Sequence, residues 1–399
     1  MNAIENVEYD HSVRDEHEWL HELETPCYVF TPQTVLERYQ QLKEQLGTAL
    51  IVSLKANSEA DLYVRCGHMF GDGVELASKG ELDIVVGRGK CPRYLNNPSM
   101  NEEFMRAGIA SRCNFILDNL DITRRFLGLA VGKNLGDVLL RINAGALLGS
   151  RTRRDWNDHF GMSPAEALQA SELLLSAGIR VVGLHTFSGS YSFRCDAQPM
   201  READSADLAF ALAALADEVS HVVHAPIKFL NLGGGFPEGE LDAEAMRRYR
   251  KRIAPLASKF QLAHESGRSI FSSCGVFVTR VMAVKNWEDR TIAVCDGGMS
   301  HNFLLAKTEA VIKTWQSPQL VRRETSMPTL AVPSEAPRPL LFVGSTCSRA
   351  DVIGRIQSTT SVPQAGDLAV FSNCGAYNRS YSVSGFLSQK PARVYIRQA

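Results

Sequence analysis

The chain has no CxxC pair, no Cys/His set with zinc spacing and no apolar stretch of membrane-spanning length. Its nine cysteines are odd in number and widely spread, which speaks against a disulfide framework or a metal site and for reduced thiols in a cytoplasmic setting. Excess charge of one sign is also missing. With 43 basic and 44 acidic side chains, nothing points to a nucleic acid or an anionic membrane as partner. Basic clusters such as Arg151-Thr152-Arg153-Arg154 are short and read as solvated loop. The acidic, polar stretch Met1 to Glu24 lacks the apolar centre of a secretory signal. Leu208 to Val219, the most apolar helical pattern, is interrupted by Asp217 and reads as amphipathic. What remains is 399 residues with 45% apolar side chains, enough for one large or two ordinary domains with their own cores.

From about residue 45 to 270, short apolar runs alternate with helical patterns. The expected strands are Leu50 to Lys55, Gly73 to Ala77, Tyr94 to Asn96, Asn114 to Asp118, Val138 to Asn143, Val181 to Phe187, Ile227 to Leu232 and Phe260 to Glu265. Eight such units predict an α/β fold, a closed (β/α)8 TIM-type barrel rather than an open sheet. One helix announces itself: Ser163 caps, Pro164 follows, Glu166 lies three residues after the cap, Leu168 and Leu175 share a face, and Gly178 ends it. After Arg268 the pattern changes to β-type runs without long helices: Val276 to Thr279, Thr291 to Cys295, Pro339 to Val343, Leu368 to Phe371 and Ala392 to Ile396. Leu320 to Pro339, with four prolines, reads as a loop or edge segment. The expected division is a barrel over 33–268 and an all-β, sandwich- or barrel-like domain from 1–32 and 269–399.

Barrel enzymes carry their chemistry at the C-terminal ends of the strands, and the unusual residues fall there. Lys55 follows the first apolar run, where a lysine is costly unless its amine has a task; burial favours the neutral, nucleophilic amine that forms a Schiff base. Snorkelling to water is the plainer reading of one such lysine. Glu75 lies in the second strand and Arg141 ends the fifth. His185-Thr186-Phe187-Ser188-Gly189-Ser190 ends the sixth, Asn231-Leu232-Gly233-Gly234-Gly235 the seventh and Glu265-Ser266-Gly267-Arg268 the eighth. Three glycines alone are usually a turn; beside Gly189-Ser190 and Gly267-Arg268 they read as an anion cradle, whose backbone N–H groups approach a phosphate closely. Glu265 could be a satisfied strand-end carboxylate or the partner of a protonated pyridine nitrogen. Together these sites read as a pocket for pyridoxal 5'-phosphate.

The motifs Ser53-Leu54-Lys55-Ala56-Asn57, Val74-Glu75-Leu76-Ala77-Ser78, Gly183-Leu184-His185, Gly233-Gly234-Gly235 and Glu265-Ser266-Gly267-Arg268 resemble those of the fold-type III pyridoxal-phosphate decarboxylases. That family has an alanine-racemase-like barrel and includes the ornithine, arginine and diaminopimelate decarboxylases. Cys295-Asp296-Gly297-Gly298, Gly344-Ser345-Thr346-Cys347 and Gly375-Ala376-Tyr377 carry the resemblance into the second domain, so that it runs from about Thr25 to the C-terminus. The resemblance implies roles. Lys55 would hold the cofactor aldehyde, and Glu265 would pair with the pyridinium. Ser190, Gly233, Gly234, Gly235, Gly267, Arg268 and Tyr377 would hold the phosphate. Glu75 and Arg141 would stand behind the lysine. Cys347, from the partner subunit of a homodimer with shared sites, would protonate the α-carbon after CO2 leaves; its plainer reading is a small buried hydrophobe.

Two departures bear on the substrate. The family commonly has a histidine stacking on the cofactor two positions after His185; here it is Phe187, which can still stack. Ornithine and diaminopimelate decarboxylases place an acidic residue after the cysteine to meet the distal ammonium; here Ser348 and then Arg349 follow. A buried charge without its partner costs about 3–5 kcal/mol, so this argues against a small free diamino acid, although Asp296 remains a candidate partner for a distal amine. Val343 to Asp351, the ending Gly385-Phe386-Leu387-Ser388 and Asp296-Gly297-Gly298-Met299 resemble a narrower branch of siderophore and related pathways, acting on citryl-amino-acid conjugates or carrier-bound amino acids. The expected activity is therefore α-decarboxylation of an amino acid with an acidic appendage, with Arg349, His301, Arg151 and Arg153 as candidate contacts beside Ser348. The alternatives are a diaminopimelate or basic-amino-acid decarboxylase, an alanine-racemase-type enzyme, and a silent pyridoxal-phosphate-binding regulator.

Overall fold

The structure, a computed structural model, describes residues 18–149, 158–190, 192–193, 201–308, 310, 314–323 and 336–397. The chain divides into two compact units. One spans Leu36–Ile270; the other joins the described residues up to Val35 to those from Phe271 onward.

The first unit is a closed barrel of eight parallel strands. They are β2 (Ala49–Ser53), β3 (Val74–Leu76), β4 (Arg93–Asn96), β5 (Asn114–Leu117), β6 (Val138–Ile142), β7 (Val181–Thr186), β8 (Phe229–Asn231) and β9 (Gln261–Ser266), with β9 closing against β2. Most strand residues are buried on both faces, which is why these strands read as near-continuous apolar runs. Alternate residues point inward. Ile51, Tyr94, Ile116, Leu139 and Ala263 form an apolar plug, with Phe229 and Val182 packed on it. The rings of Tyr94 and Phe229 stack at 6.1 Å. The helix expected after Ser163 runs Pro164–Ser176 with the reciprocal Ser163/Glu166 capping box, but its buried face is Ala167, Ala170, Ser171 and Leu174, and Leu175 is 39% exposed. The expected first strand also stops short: β2 ends at Ser53, and Lys55 sits in a 3-10 turn, Leu54–Ala56, closed by the Asn57 N–H on the Leu54 carbonyl.

The second unit holds an eight-stranded sheet with β1 (Cys27–Phe30), β10 (Gly275–Asn286), β11 (Thr291–Cys295), β12 (Gln319–Val321), β13 (Arg338–Val343), β14 (Val352–Thr359), β15 (Leu368–Phe371) and β16 (Arg393–Ile396). β1 lies between β10 and β16, so residues from both ends of the chain share one sheet. Two strands, β1 and β14, were not expected. β12 is three residues long and pairs only with β15, as the edge reading of this proline-rich region implies. β14 carries Gly354 and Arg355 and ends in the polar run Gln357-Ser358-Thr359, which hides it from an apolar-run reading. No helix among the described residues is long and apolar enough to cross a membrane.

Candidate active site

The inward periodicity of two that builds the apolar plug also builds the site. Two residues after a plug position, on the next inward step toward the C-terminal end of each strand, stands a polar side chain: Asn96 after Tyr94, Asp118 after Ile116, Arg141 after Leu139, Asn231 after Phe229 and Glu265 after Ala263. Just before β3, and in β7, the plug position is glycine, and Glu75 and His185 follow Gly73 and Gly183. A side chain on Gly73 would run into the Tyr94 ring and one on Gly183 into Phe229. With Lys55 after β2, every barrel strand supplies one polar group to a ring around the mouth.

Carboxylates in this ring meet nitrogen-bearing side chains in three pairs. Lys55 Nζ donates to Glu75 Oε1 at 3.0 Å; the carboxylate is fully buried and the lysine side chain is 43% exposed. Arg141 Nη1 donates to Asp118 Oδ2 at 3.2 Å and lies 3.4 Å from Asn96 Oδ1, with the Phe160 ring 4.4 Å from its guanidinium carbon. The backbone N–H of Gly161 also donates to Asp118 Oδ2, at 3.1 Å, tying the approach to the Pro164–Ser176 helix to the barrel. His185 Nε2 lies 3.4 Å from Glu265 Oε1, which also accepts from Asn231 Nδ2 at 2.8 Å. Burial alone would raise the Glu265 carboxyl, but His185, Lys55 and Asn231 outweigh it and hold the group down at about 2.

Behind Lys55 a second carboxylate comes into play. Glu81 accepts the Ala77 N–H at 2.7 Å; burial, with Glu75 nearby, pushes its carboxyl up to about 7. Across the mouth, Gly233 (φ +68°) and Gly235 (φ +120°) hold backbone that other residues rarely adopt, and a Cβ at Gly235 would lie 2.7 Å from the Gly189 carbonyl. The loops Gly189-Ser190 and Gly233 to Gly235 thus meet. The amides of Gly234 and Gly235 bond to no described residue. Phe187 is half-buried just beyond β7, Ser190 is exposed, and Arg268 Nε lies 3.9 Å from Glu238 Oε2. A Cβ on Gly267 would sit 2.6 Å from Ala56 Cβ and 2.8 Å from the Ser53 carbonyl, so this glycine lets the end of β9 close on the Lys55 turn.

The other expected residues, Asp296, His301, Cys347, Ser348, Arg349 and Tyr377, lie in the second unit. Both oxygens of Asp296 are in use: Thr25 Oγ1 donates to Oδ2 at 2.6 Å, and Thr279 Oγ1 and the Arg280 N–H donate to Oδ1 at 2.7 and 2.9 Å. His301 is buried, with Nε2 3.1 Å from the Lys390 carbonyl and Nδ1 accepting the Gly298 N–H at 3.4 Å; burial lowers its pKa. Both candidate substrate contacts are therefore engaged in the sheet unit itself. In the loop Gly344 to Asp351, the buried Asp351 accepts from the Met299 N–H at 2.7 Å, from the Thr346 N–H at 3.1 Å and from Thr346 Oγ1 at 2.6 Å. Its carboxylate is turned inward, and Cys347 and Arg349 are exposed. Tyr377 has φ +66°. Arg151 and Arg153 fall outside the described residues.

Sequence reasoning missed Asn96, Asp118, Glu81 and Asp351. For the first two a signal was present: each follows an inward apolar residue by two.

Residues 33–272 match the family model described as "Pyridoxal-dependent decarboxylase, pyridoxal binding domain". The chain is 27% identical to a diaminopimelate decarboxylase of Archaeoglobus fulgidus over 387 residues, covering 90% of this chain and 85% of that one. It is 24% identical to the L-glutamyl-[BtrI acyl-carrier protein] decarboxylase of Niallia circulans, covering 91% and 86%. The lysine/ornithine decarboxylase of Vibrio vulnificus, solved with cadaverine, has the same fold, with a TM-score of 0.75 at 20% identity over 95% of this chain and 96% of that one.

Proposed function

We propose a substrate class for a chain that belongs to the pyridoxal-dependent decarboxylase family: an amino acid whose far end is acidic, of the citryl-conjugate or carrier-bound type, from which the α-carboxylate is removed. The chain is a carboxy-lyase that uses pyridoxal 5'-phosphate. Its barrel mouth suits that group. An amine stands at the rim, the backbone amides of Gly234 and Gly235, which bond to no described residue, suit a phosphate, and a buried carboxylate is kept ionised beside that loop. When bound, pyridoxal phosphate supplies an electron sink for the pair left behind by CO2.

The chain's own residues would divide the work. Lys55 would hold the aldehyde carbon, with Glu75 fixing its amine. Glu265 would keep the proton on the ring nitrogen, and Phe187 would cover the ring face. Ser190, Gly233, Gly234, Gly235, Gly267, Arg268 and Tyr377 would hold the phosphate. Arg141, clamped by Asp118, would stand behind Lys55. Cys347, the exposed cysteine among the described residues, would return a proton to the α-carbon of a substrate bound by the partner of a homodimer.

The observation that carries the substrate class is the loop Gly344 to Asp351. Its one carboxylate is spent on the Met299 and Thr346 N–H groups and the Thr346 hydroxyl, so the loop presents Ser348 and the cationic Arg349. With both Asp296 oxygens also occupied, a distal ammonium lacks an evident partner and a distal carboxylate has one. CO2-release assays at steady state test this. Citryl-amino-acid conjugates or carrier-linked amino acids should give the highest kcat/KM, and faster turnover of ornithine or lysine than of every acidic conjugate refutes the proposal. The similarity to a diaminopimelate decarboxylase favours a second reading, a substrate whose far end carries a carboxylate beside an ammonium. In the same assays, meso-diaminopimelate would then be turned over fastest.

A further inference from the structure

The motif around His185 has no task in the scheme above. The ring is 1% exposed at the inward face of β7, between Arg141 on β6 and Asn231 on β8. Neither ring nitrogen has a hydrogen-bond partner among the described residues, yet Nε2 stands 3.4 Å from Glu265 Oε1. An imidazole buried without hydrogen bonds is costly unless its charge or orientation serves a neighbour. That neighbour is a carboxylate used unevenly. Oε1 takes the Asn231 amide at 2.8 Å and faces His185, whereas Oε2 accepts from no described residue.

We propose that His185 is a positioning residue: with Asn231 it captures one oxygen of Glu265, so that the other is presented, charged, to the ring nitrogen of the cofactor. The inference rests on the pairing of Glu265 with that nitrogen set out above. Glu265 has few partners in the barrel. Its carboxyl is held down by His185, Lys55 and Asn231. Once Lys55 holds the cofactor aldehyde, His185 and Asn231 are the groups that still face Oε1 on the barrel's inner wall, while Arg141 is bound to Asp118.

The experiment compares two ligands by fluorescence titration of the cofactor-free protein: pyridoxal phosphate, and its analogue in which the ring nitrogen is replaced by C–H while aldehyde and phosphate are kept. The ratio of their dissociation constants isolates what the nitrogen contributes. In the wild type, pyridoxal phosphate should bind on the order of tenfold to a hundredfold more tightly, the range of one charge-assisted hydrogen bond. His185→Phe should bring the ratio close to one. His185→Gln, which retains a donor, should leave an intermediate ratio and provides the test if the phenylalanine variant does not fold. A residue that merely supports the barrel would weaken both ligands alike and leave the ratio unchanged, and that result overturns the inference. A wild type that does not distinguish the two ligands removes the Glu265 pairing itself, and the role of His185 with it.

Discussion

Replacing Asp118 with alanine tests whether the polar ring is a set of buried pairs or a collection of solvated side chains. The side chains of Arg141 and Asp118 are 9% and 3% exposed, so water cannot take over from the missing carboxylate. Removing one partner of such a pair costs about 3–5 kcal/mol, and the Gly161 N–H loses its acceptor, which adds about 1 kcal/mol. The Asn96 amide oxygen at 3.4 Å and the Phe160 ring at 4.4 Å remain and offset part of this. The expected destabilisation is therefore about 3–5 kcal/mol, read from urea unfolding of the variant. Asp118→Asn keeps an acceptor for both donors and should cost roughly half as much. The sharper comparison is Asp118→Ala combined with Arg141→Met. If the loss comes from a stranded guanidinium, the double variant is more stable than Asp118→Ala alone, because both charges are then gone. A loss below about 1 kcal/mol for the alanine variant, or a double variant whose cost is the sum of the singles, refutes the reasoning.

Stability should fall in mild acid, beginning with His264. Its ring accepts or donates to Thr48 Oγ1 and Tyr249 Oη, each at 2.8 Å, and burial pushes its pKa from 6.5 down to about 3. The unfolded chain therefore binds a proton that the folded one refuses, so stability is lost as pH drops below 6.5 toward 3, by about 2 kcal/mol at pH 5. Glu265, depressed to about 2, adds a second loss as pH falls below 4.5. Urea midpoints at pH 7 and pH 5 should differ in the wild type and converge in His264→Gln; equal wild-type midpoints would contradict this. Gly267→Ala should push the turn carrying Lys55 away from β9, because the added Cβ meets Ala56 and the Ser53 carbonyl at 2.6 and 2.8 Å. Affinity for pyridoxal phosphate should fall on the order of tenfold to a hundredfold, as expected for a reactive amine displaced by a fraction of an ångström; wild-type affinity in a titration would show that the turn accommodates the methyl.

The barrel was legible because its strands are buried on both faces. In a run such as Val138-Leu139-Leu140 one face meets the barrel interior and the other the helices outside, so every position is apolar. The sheet unit was less so. β14 ends in the polar run Gln357-Ser358-Thr359, and β1, four residues long, lies far from its partners in sequence, so neither stands out as part of the sheet. Leu175 shows the same limit on a smaller scale: periodicity finds a helix, but which side faces the core is set by what packs against it.

The sequence by itself determined the eight-strand count, the lysine after the first strand, the glycine loops and the family, because each is written in local periodicity or in residues whose backbone freedom cannot be substituted. Only the tertiary structure decided what the charged groups are for. A carboxylate's role depends on which donors reach it, and those lie far away in the chain. Asp296 and Asp351 spend their oxygens within the sheet unit, Asp118 clamps Arg141, and Glu265 is left with one oxygen taken by its neighbours and one to offer.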